Sequence, residues 1–410
     1  MTKLTKPLLV YVNVPFCASK CHFCDWVTEI PTSQLRLGPA DPTREAFIAA
    51  LCHQITSHGS WLTSRDYKPD ILYWGGGTAT ILSCDEISQV GEALHATFDL
   101  SQLREATIEG SPETITPDKL IAFRNIGFRR VSLGIQSFND DRLKMIGRAH
   151  DANTAIRALN MVKEAGFDDI SIDLISGFPG QELQEFQDTL NITTGLPVNH
   201  VAVYAYRPTP GTIMVRRLRR GTAGSAELSV QKACYTHARQ HLEGAGLHEY
   251  AFGHFGSPRC HSDMAYFRLE QDWVGFGSGA TSLIDGEFLA FERGQLASYL
   301  AAPTRFDERC PASAPRIAPR LAYQALTTHD GIVRTLWEQR LKQPLEDVLA
   351  SAPVGALLSI LDSLGGLERD SDGIRLPPEV LARAFIHLLY INTPEQARTP
   401  IGTEALFGWY

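Results

Sequence analysis

The chain lacks several features that would place it in a special class. None of its 410 residues belongs to an apolar run of the roughly 18 residues that a membrane-spanning helix needs. No low-complexity segment or short repeat occurs. There is no excess of basic residues either: 38 Lys+Arg against 46 Asp+Glu give a net charge of −8, which argues against a nucleic-acid partner. The first ten residues contain no signal-peptide core, so we expect a cytoplasmic protein without a membrane partner.

Cysteine is present, but its pattern does not favour disulfides. Of eight cysteines, three lie within eight residues. In a large chain of cytosolic type, such a cluster indicates metal binding or catalysis. The others are scattered and are expected to be buried thiols; they are Cys52, Cys84, Cys234, Cys260 and Cys310.

The first half alternates β-rich runs with helix-period segments. The predicted strands are Leu8–Val14, Asp70–Gly75, Ala106–Glu109, Arg130–Ile135, Asp169–Ile175 and His200–Tyr206. The predicted helices are Pro42–His58, Asp85–Phe98, Pro117–Ile126, Ala152–Ala165 and Leu183–Leu196. Six βα units predict an α/β fold, as an open sheet or a barrel. Because polar residues such as Glu109, Gln136 and Asp173 fall at the carboxyl ends of strands, where barrel enzymes build their sites, we expect a partial (β/α)6 TIM-like barrel.

The pattern changes after the barrel, and three domains are expected. Residues 1–220 form the barrel, residues 221–300 an α+β extension beside it, and residues 301–410 a smaller, mostly helical C-terminal domain that resembles a winged helix. Pro303–Pro319 is interpreted as a linker, Thr335–Leu349 and Pro378–Leu389 as helices, and the segments near Glu368 and Ile374 as two short strands. The basic run 216–220 is interpreted as a solvated face, with a clamp for an anionic substrate as the alternative.

The sharpest motif is a CxxxCxxC on the loop after the first strand. It contains Cys17, Cys21 and Cys24, and thiolates are ligands for iron–sulfur clusters or zinc. A structural zinc site needs four ligands, and here only His22 could complete the set. Three cysteines on a four-iron cluster leave one iron free for a substrate or cofactor. We therefore predict a 4Fe-4S cluster, with zinc as the alternative.

A glycine-rich turn, Gly75-Gly76-Gly77-Thr78, follows the second strand. Glycines allow close approach of the backbone to a ligand and leave N–H groups free to hold a carboxylate. Glu109, Gln136 and Asp173 lie at the ends of the next three strands, and Arg148 lies between the last two of these. For each of them alone, a strand-end polar contact or salt bridge is the alternative to a binding role.

The cysteine spacing after the first strand resembles that of the radical S-adenosylmethionine (SAM) superfamily. The segments YVNVPFC, GGGT, GIQSF, IGRAH, IDLISGFPGQ and VYAYRPTPGT resemble the oxygen-independent coproporphyrinogen III dehydrogenase family over about residues 8–295. This resemblance implies that the open iron binds SAM and that an electron from the cluster cleaves it to a 5′-deoxyadenosyl radical. It also implies an electron donor such as flavodoxin or ferredoxin.

The resemblance further implies two SAM molecules. Tyr11, Gly76 and Glu109 would contact the first, with Thr281 as a further contact, and the second would be surrounded by Phe23, Gly77, Thr78, Gln136, Arg148, Asp173 and Ala205. The chemistry is consistent, because carboxylates can accept hydrogen bonds from ribose hydroxyls and an arginine can pair with a carboxylate.

Within the family, the chain most resembles the class C radical SAM methylases. That branch implies transfer of a SAM-derived methylene to an sp2 carbon of a small-molecule natural-product intermediate, giving C-methylation or cyclopropanation. Its general base is unassigned, and the candidates are Tyr204, Tyr206, His150 and His254. Two alternatives stay open. The first is a coproporphyrinogen dehydrogenase; members of that branch carry a long arm ahead of their cysteines, whereas 16 residues precede Cys17. The second is a haem-trafficking chaperone; members of that branch carry a His-Asn-x-x-Tyr-Trp motif, which the segment from His261 to Phe267 matches in part.

Overall fold

One sheet of twelve strands dominates the computed structural model, which describes residues 5–26, 42–223, 227–292, 294–363 and 366–377. Its strands are β1 (Lys6–Val14), β2 (Tyr67–Gly76), β3 (Glu105–Gly110), β4 (Arg130–Gln136), β5 (Asp169–Ser176), β6 (His200–Ala205), β7 (His248–Ala251), β8 (His254–Gly256), β9 (Asp272–Phe276), β10 (Thr281–Ile284), β11 (Glu287–Ala290) and β12 (Glu308–Pro311). The three remaining strands are β13 (Ile332–Val333), β14 (Glu368–Arg369) and β15 (Gly373–Arg375).

Helices cover the strands of the first half and build most of the C-terminal part. They are α1 (Pro42–Thr63), α2 (Cys84–Thr97), α3 (Pro117–Ile126), α4 (Asp140–Met145), α5 (Ala152–Glu164), α6 (Leu183–Thr193), α7 (Ile213–Arg219), α8 (Leu228–Gly244), α9 (His261–Phe267), α10 (Leu296–Ala301), α11 (Ala318–Leu326), α12 (Arg334–Leu341), α13 (Leu345–Leu349) and α14 (Ala352–Ser363). None of the described helices is long and apolar enough to cross a membrane.

The sheet order confirms the predicted α/β fold. Strands β1 to β6 are parallel neighbours in chain order. On one side, β9 adds to β1 in parallel and continues through β10, β11 and β12; on the other, β8 adds to β6 antiparallel and is followed by β7. All six βα units therefore place their carboxyl ends along one rim.

The two faces of the parallel strands differ in chemistry. One face is apolar and packs under the helices, where Trp74 makes edge-to-face contacts with Phe123 and Phe128 at ring-centroid distances of 5.5 and 5.3 Å. The other face carries buried polar residues, among them Thr107 and Ser132. Because side chains alternate along a strand, this polar column leads to the strand ends that carry the candidate site.

Several predicted helix boundaries are also confirmed. Thr116 accepts a hydrogen bond from the backbone N–H of Lys119 at 3.4 Å and so caps α3, which begins at Pro117. Gly127 and Gly166 follow α3 and α5 with φ of +122° and +81°, the left-handed geometry in which glycine is favoured.

The C-terminal part packs in an apolar cluster that includes Trp337 and Leu361 and also Leu9 of β1 and Ile71 of β2. The predicted strand pair is present as β14 and β15, and β13 completes a three-stranded sheet. The predicted helix Pro378–Leu389 and the rest of the chain after residue 377 lie outside the described residues.

One prediction for this part was wrong. The segment Pro303–Pro319, interpreted as a linker, contains β12, which pairs with β11 at the sheet edge, so its backbone groups are satisfied by the ladder. The predicted helical segment Thr335–Leu349 is helical but divided into α12 and α13, because Lys342 has φ of +58° and ends α12. Pro344 follows and cannot donate to a continuing helix.

Candidate functional site

The loop after β1 (residues 15–26), here called the cluster loop, is held by main-chain contacts. The backbone N–H of His22 donates to the carbonyl of Ile146 at 2.8 Å, and the N–H of Met214 donates to the carbonyl of His22 at 2.8 Å. The loop is thereby tied to the segment after α4 and to α7. The ring Nδ1 of His22 lies 2.8 Å from the carbonyl of Met145, so this side chain is engaged in holding the loop.

The three thiols of the cluster loop line one cavity, here called the cluster cavity. Within the described chain, His22 is not among the residues that line it. The Sγ atom of Cys17 accepts a hydrogen bond from Thr78 Oγ1 at 3.6 Å, and Sγ of Cys21 accepts from Arg148 Nη1 at 3.2 Å. Three convergent sulfur donors without the supposed fourth ligand fit a 4Fe-4S cluster better than a zinc ion.

Burial makes the uncharged thiol the favoured form when no metal is bound. It raises the pKa of Cys24 to about 11, although the nearby ammonium of Lys20 acts in the opposite direction. The donors on Cys17 and Cys21 stabilise thiolates, so the loop supplies the charge compensation that a thiolate-ligated cluster requires.

Neighbouring atoms lie so close to the turn that glycine is required at two of its positions. Gly76 has φ of +106°, and a Cβ there would lie 2.3 Å from Asn13 Oδ1. A Cβ on Gly77 would lie 2.5 Å from the carbonyl oxygen of Phe16 and 2.9 Å from Sγ of Cys17. The turn therefore packs directly against the cluster loop, and a larger residue would displace it.

Two buried carboxyl groups stand at the ends of β3 and β5. Glu109 accepts hydrogen bonds from the hydroxyl of Tyr73 and, at 3.2 Å, from the backbone N–H of Gly76. Burial raises the pKa of Glu109 to about 7 and that of Asp173 to about 6. Both groups therefore titrate near neutral pH and can hold hydroxyl donors in either protonation state.

Gln136 and Arg148 complete the rim of the cluster cavity. Gln136 adopts φ of +71° at the end of β4, and its buried Oε1 has no hydrogen-bond partner among the described residues. Such strain in a non-glycine residue is concentrated at functional sites. Arg148 donates from Nη2 to Ser111 Oγ at 2.7 Å and to the carbonyl of Gly134 at 2.6 Å, so its guanidinium is held in place against the cluster loop.

A second cavity of about 370 Å³ adjoins the first. We call it the aromatic cavity, because its walls include Phe23, Trp26, Tyr204, Tyr206, Phe252, Phe267 and Tyr323. Five residues line both cavities: Phe23, Cys24, Gly76, Gln136 and Asp173. Arg207 also lines the aromatic cavity, and its Nη2 lies 3.7 Å from the carboxylate of Asp25 on the cluster loop.

The fold brings most of the predicted site residues together. The cluster cavity is lined by Cys17, Cys21, Cys24, Phe23, Gly76, Gly77, Thr78, Glu109, Gln136, Arg148 and Asp173, and the aromatic cavity by Ala205. Tyr11 and Thr281 are not among the described residues that line either one. Tyr11 stacks on Tyr73 with ring centroids 5.8 Å apart, and Thr281 begins β10.

The four candidate bases separate into two groups. Tyr204, Tyr206 and His254 line the aromatic cavity. His150 is not among the described residues that line either cavity. It is buried, with Nδ1 3.2 Å from Glu113 Oε2 and Nε2 3.2 Å from the carbonyl of Ile135, which indicates a structural role.

Some wall residues of the aromatic cavity were missed at the level of sequence. Phe252, Phe267 and Tyr323 follow the barrel in the chain and reach the cavity only through packing of β7, β8, α9 and α11. Arg207 could have been found, because it follows β6 directly at the same rim as the other site residues.

Comparison with known proteins shows what the chain is similar to. A family model described as "Radical SAM superfamily" matches residues 11–192. Heme chaperone HemW of Bacillus subtilis is 29% identical over 281 residues, which cover 67% of this chain and 71% of the relative, and HemW of Escherichia coli is 27% identical over 70% of this chain and 74% of the relative. The oxygen-independent coproporphyrinogen-III oxidase-like protein HemZ of B. subtilis is 31% identical over 54% of this chain and 43% of the relative.

A solved structure supports the fold over nearly the whole chain. Coproporphyrinogen III oxidase (HemN) from E. coli superposes with a TM-score of 0.74 at 23% identity, covering 94% of this chain and 89% of that one. The similarity confirms a mixed α/β fold of parallel strands with an additional C-terminal part.

These comparisons correct the functional prediction. The relatives are named heme chaperone or coproporphyrinogen oxidase, and none of these relatives is named a natural-product methylase or cyclopropanase. The predicted methylene transfer to a natural-product intermediate was therefore wrong. The predicted second SAM site does not by itself separate branches that share one fold.

The three-thiol loop, the superfamily match and the similarity to HemW, HemZ and HemN agree with one another, and a radical SAM fold implies a 4Fe-4S cluster and SAM. This chain is therefore similar to the radical SAM superfamily over residues 11–192 and, over more of its length, to HemW and HemN.

Proposed function

We propose that this protein binds haem in the aromatic cavity, next to a 4Fe-4S cluster and SAM. The observation that carries the proposal is an aromatic cavity bordered by a cationic side chain and adjoining the cluster loop. Flat tetrapyrroles bury well against aromatic rings. The relatives named heme chaperone support the choice of ligand.

The charge at the cavity margin suits the ligand. A haem carries two propionate carboxylates, and a guanidinium binds carboxylates through paired hydrogen bonds. Arg207 lines the cavity and is mostly buried, with a side chain 14% exposed. Its Nη2 lies 3.7 Å from the carboxylate of Asp25, and we expect a propionate to bind beside this pair.

The cluster and SAM would be held in the cluster cavity. Cys17, Cys21 and Cys24 would ligate the cluster, and the turn at Gly76 together with Glu109 would hold SAM through backbone N–H and carboxylate groups. When bound, this pair supplies reductive cleavage of SAM to a carbon radical. We propose flavodoxin or ferredoxin as the electron donor.

A second SAM molecule would lie where the two cavities meet. Gln136 and Asp173 line both cavities, so a second SAM and haem would share part of their walls. We expect labelled SAM to bind at two molecules per chain without haem and at fewer when haem is present. A stoichiometry of one without haem would contradict the second site.

An anaerobic titration with haemin tests the main proposal. We expect saturable binding at one haem per chain, followed by the Soret absorbance, and weaker binding by Arg207→Gln. Arg309→Gln is a matched control, because Arg309 is an exposed arginine of β12 paired with Glu287. If wild-type protein binds no haem beyond the nonspecific level, the proposal is wrong.

A second candidate is oxidative decarboxylation of a coproporphyrinogen. It is favoured by the shared wall, because a substrate in the aromatic cavity would lie directly beside SAM in the cluster cavity. Reconstituted protein with SAM, a reductant and coproporphyrinogen III would then release carbon dioxide. Haem binding without such release supports the chaperone-type function, and release with turnover supports the enzyme.

A further inference from the structure

A histidine of the aromatic cavity belongs to a buried hydrogen-bonded group that the cluster and SAM do not use. His254 begins β8, beside β6, and is 7% exposed. Its ring lies edge-on to Tyr204 and Phe267, with centroid distances of 5.7 and 5.3 Å. These contacts fix the plane of the imidazole at the cavity wall.

A carboxylate stands behind this imidazole. The Nδ1 atom of His254 lies 3.2 Å from Oδ2 of Asp263. A carboxylate oxygen at this distance can accept a hydrogen bond from the ring nitrogen.

The carboxylate is itself held from the other side. The hydroxyl of Tyr250 donates to Asp263 Oδ2 at 2.5 Å and lies 2.7 Å from His200 Nε2. Burial lowers the pKa of His200 well below its usual value, which favours its neutral form. Its Nδ1 lies 2.8 Å from Ser171 Oγ, so both ring nitrogens of His200 have hydrogen-bond partners.

The other ring nitrogen of His254 is Nε2. With Nδ1 turned to the carboxylate of Asp263 at 3.2 Å, the Nε2 atom has no hydrogen-bond partner among the described residues. An imidazole whose far nitrogen faces a carboxylate is the arrangement that orients a histidine toward a metal and strengthens it as a ligand. Haem iron takes such a histidine as an axial ligand.

The histidine of the motif-like segment lies elsewhere. His261 is exposed at the start of α9, and its backbone N–H donates to Glu105 Oε2 at 2.6 Å. Glu105 begins β3, at the amino ends of the parallel strands, whereas the cluster loop lies at their carboxyl ends. His261 therefore cannot reach a ligand in the aromatic cavity.

We propose that His254 is the axial ligand of a haem bound in the aromatic cavity and that Asp263 is its positioning residue. This inference rests on the proposed haem-binding function. It is independent of the cluster, since the hydrogen-bonded group of His254, Asp263, Tyr250 and His200 includes none of the three cysteines.

The test is an anaerobic haemin titration of the full chain, with absorbance and electron paramagnetic resonance as readouts. We expect His254→Gln to bind haem at least tenfold more weakly and to lose the signature of histidine ligation, with added imidazole restoring the signature. His261→Gln is the matched control and should behave as wild type. Asp263→Asn should keep histidine ligation but weaken binding by about 10- to 100-fold.

The outcomes separate the two proposals. If wild type binds haem and His254→Gln keeps both the affinity and the histidine signature, the axial-ligand assignment is overturned while haem binding stands. If wild type binds no haem, both fail. Circular dichroism and cluster content of each variant report whether it is folded, and Asp263→Asn provides a second, milder perturbation of the same ligand.

Discussion

Replacing Gly77 with alanine should disturb the cluster loop without changing any of the three predicted cluster ligands. The added Cβ would lie 2.5 Å from the carbonyl oxygen of Phe16 and 2.9 Å from Sγ of Cys17. The first distance is about 0.9 Å short of the 3.4 Å at which ordinary contact begins. The backbone of Phe16 cannot yield as the end of a flexible side chain would, so we expect an overpacking cost of about 1–3 kcal/mol.

That cost falls on the metal site because the neighbouring sulfur is the one that must move. If the strain is relieved by displacing Cys17, affinity for the cluster should fall by about five- to a hundredfold, at 1.4 kcal/mol per factor of ten. Iron and sulfide content after anaerobic reconstitution, with limiting iron, measures this loss, and thermal unfolding of the metal-free protein measures the strain that remains.

The matched control is Gly244→Ala at the end of α8. Nothing lies within 4 Å of a Cβ at that position, and alanine is favoured over glycine in a helix by about 1 kcal/mol. This variant should load a full cluster and unfold at the same or a higher temperature. A Gly77→Ala protein that loads iron as wild type does and melts at the same temperature would refute the packing argument.

Three further predictions concern the same rim. The pKa of Glu109 is raised from 4.5 to about 7, so this carboxyl group stabilises the fold fully below pH 4.5, and about 3 kcal/mol of the free energy of unfolding is lost as the pH rises through 7. Glu109→Gln should remove this loss. If the free energy of unfolding, measured with denaturant, depends on pH in the same way for the variant and for wild type, the prediction is contradicted. Cys24→Ala should abolish cluster-dependent SAM cleavage while Cys52→Ala, outside the cluster loop, leaves it intact, as measured by 5′-deoxyadenosine formation. His22→Ala should retain the iron stoichiometry and visible spectrum of the cluster, because His22 contacts the carbonyl of Met145; loss of one iron-bound ligand in its spectrum would revive a metal-binding role.

The strand order and the cluster loop could be predicted because their signals are local. Each parallel strand is a short β-branched run, and the chain order of β1 to β6 is also their order in the sheet. The cysteine spacing lies within eight residues and needs no knowledge of the fold. Gly76 and Gly77 were predicted to be functional, and the close approach of Asn13 and Phe16 gives the steric reason.

The aromatic cavity could not be predicted, because its walls come from distant segments. Phe252, Phe267 and Tyr323 have no common spacing, and each by itself is an ordinary core residue. The pair of His254 and Asp263 is nine residues apart across a strand, a loop and a helix, a separation that no helical or strand period brings together. The wrong branch was predicted for a related reason. The choice of ligand depends on cavity walls of this kind, whereas the sequence motifs report the cofactor chemistry that the branches share.

The hydrogen bonds that hold the cluster loop have a consequence for the replacement of a lost iron–sulfur cluster. They run from the main chain of His22 to Ile146 and Met214 and involve no thiol. Small zinc domains collapse when their ion is removed, since the ion is what organises them. Here main-chain contacts with the barrel hold the loop, so we expect a protein that has lost a cluster to oxygen to be reconstituted in place, without first unfolding.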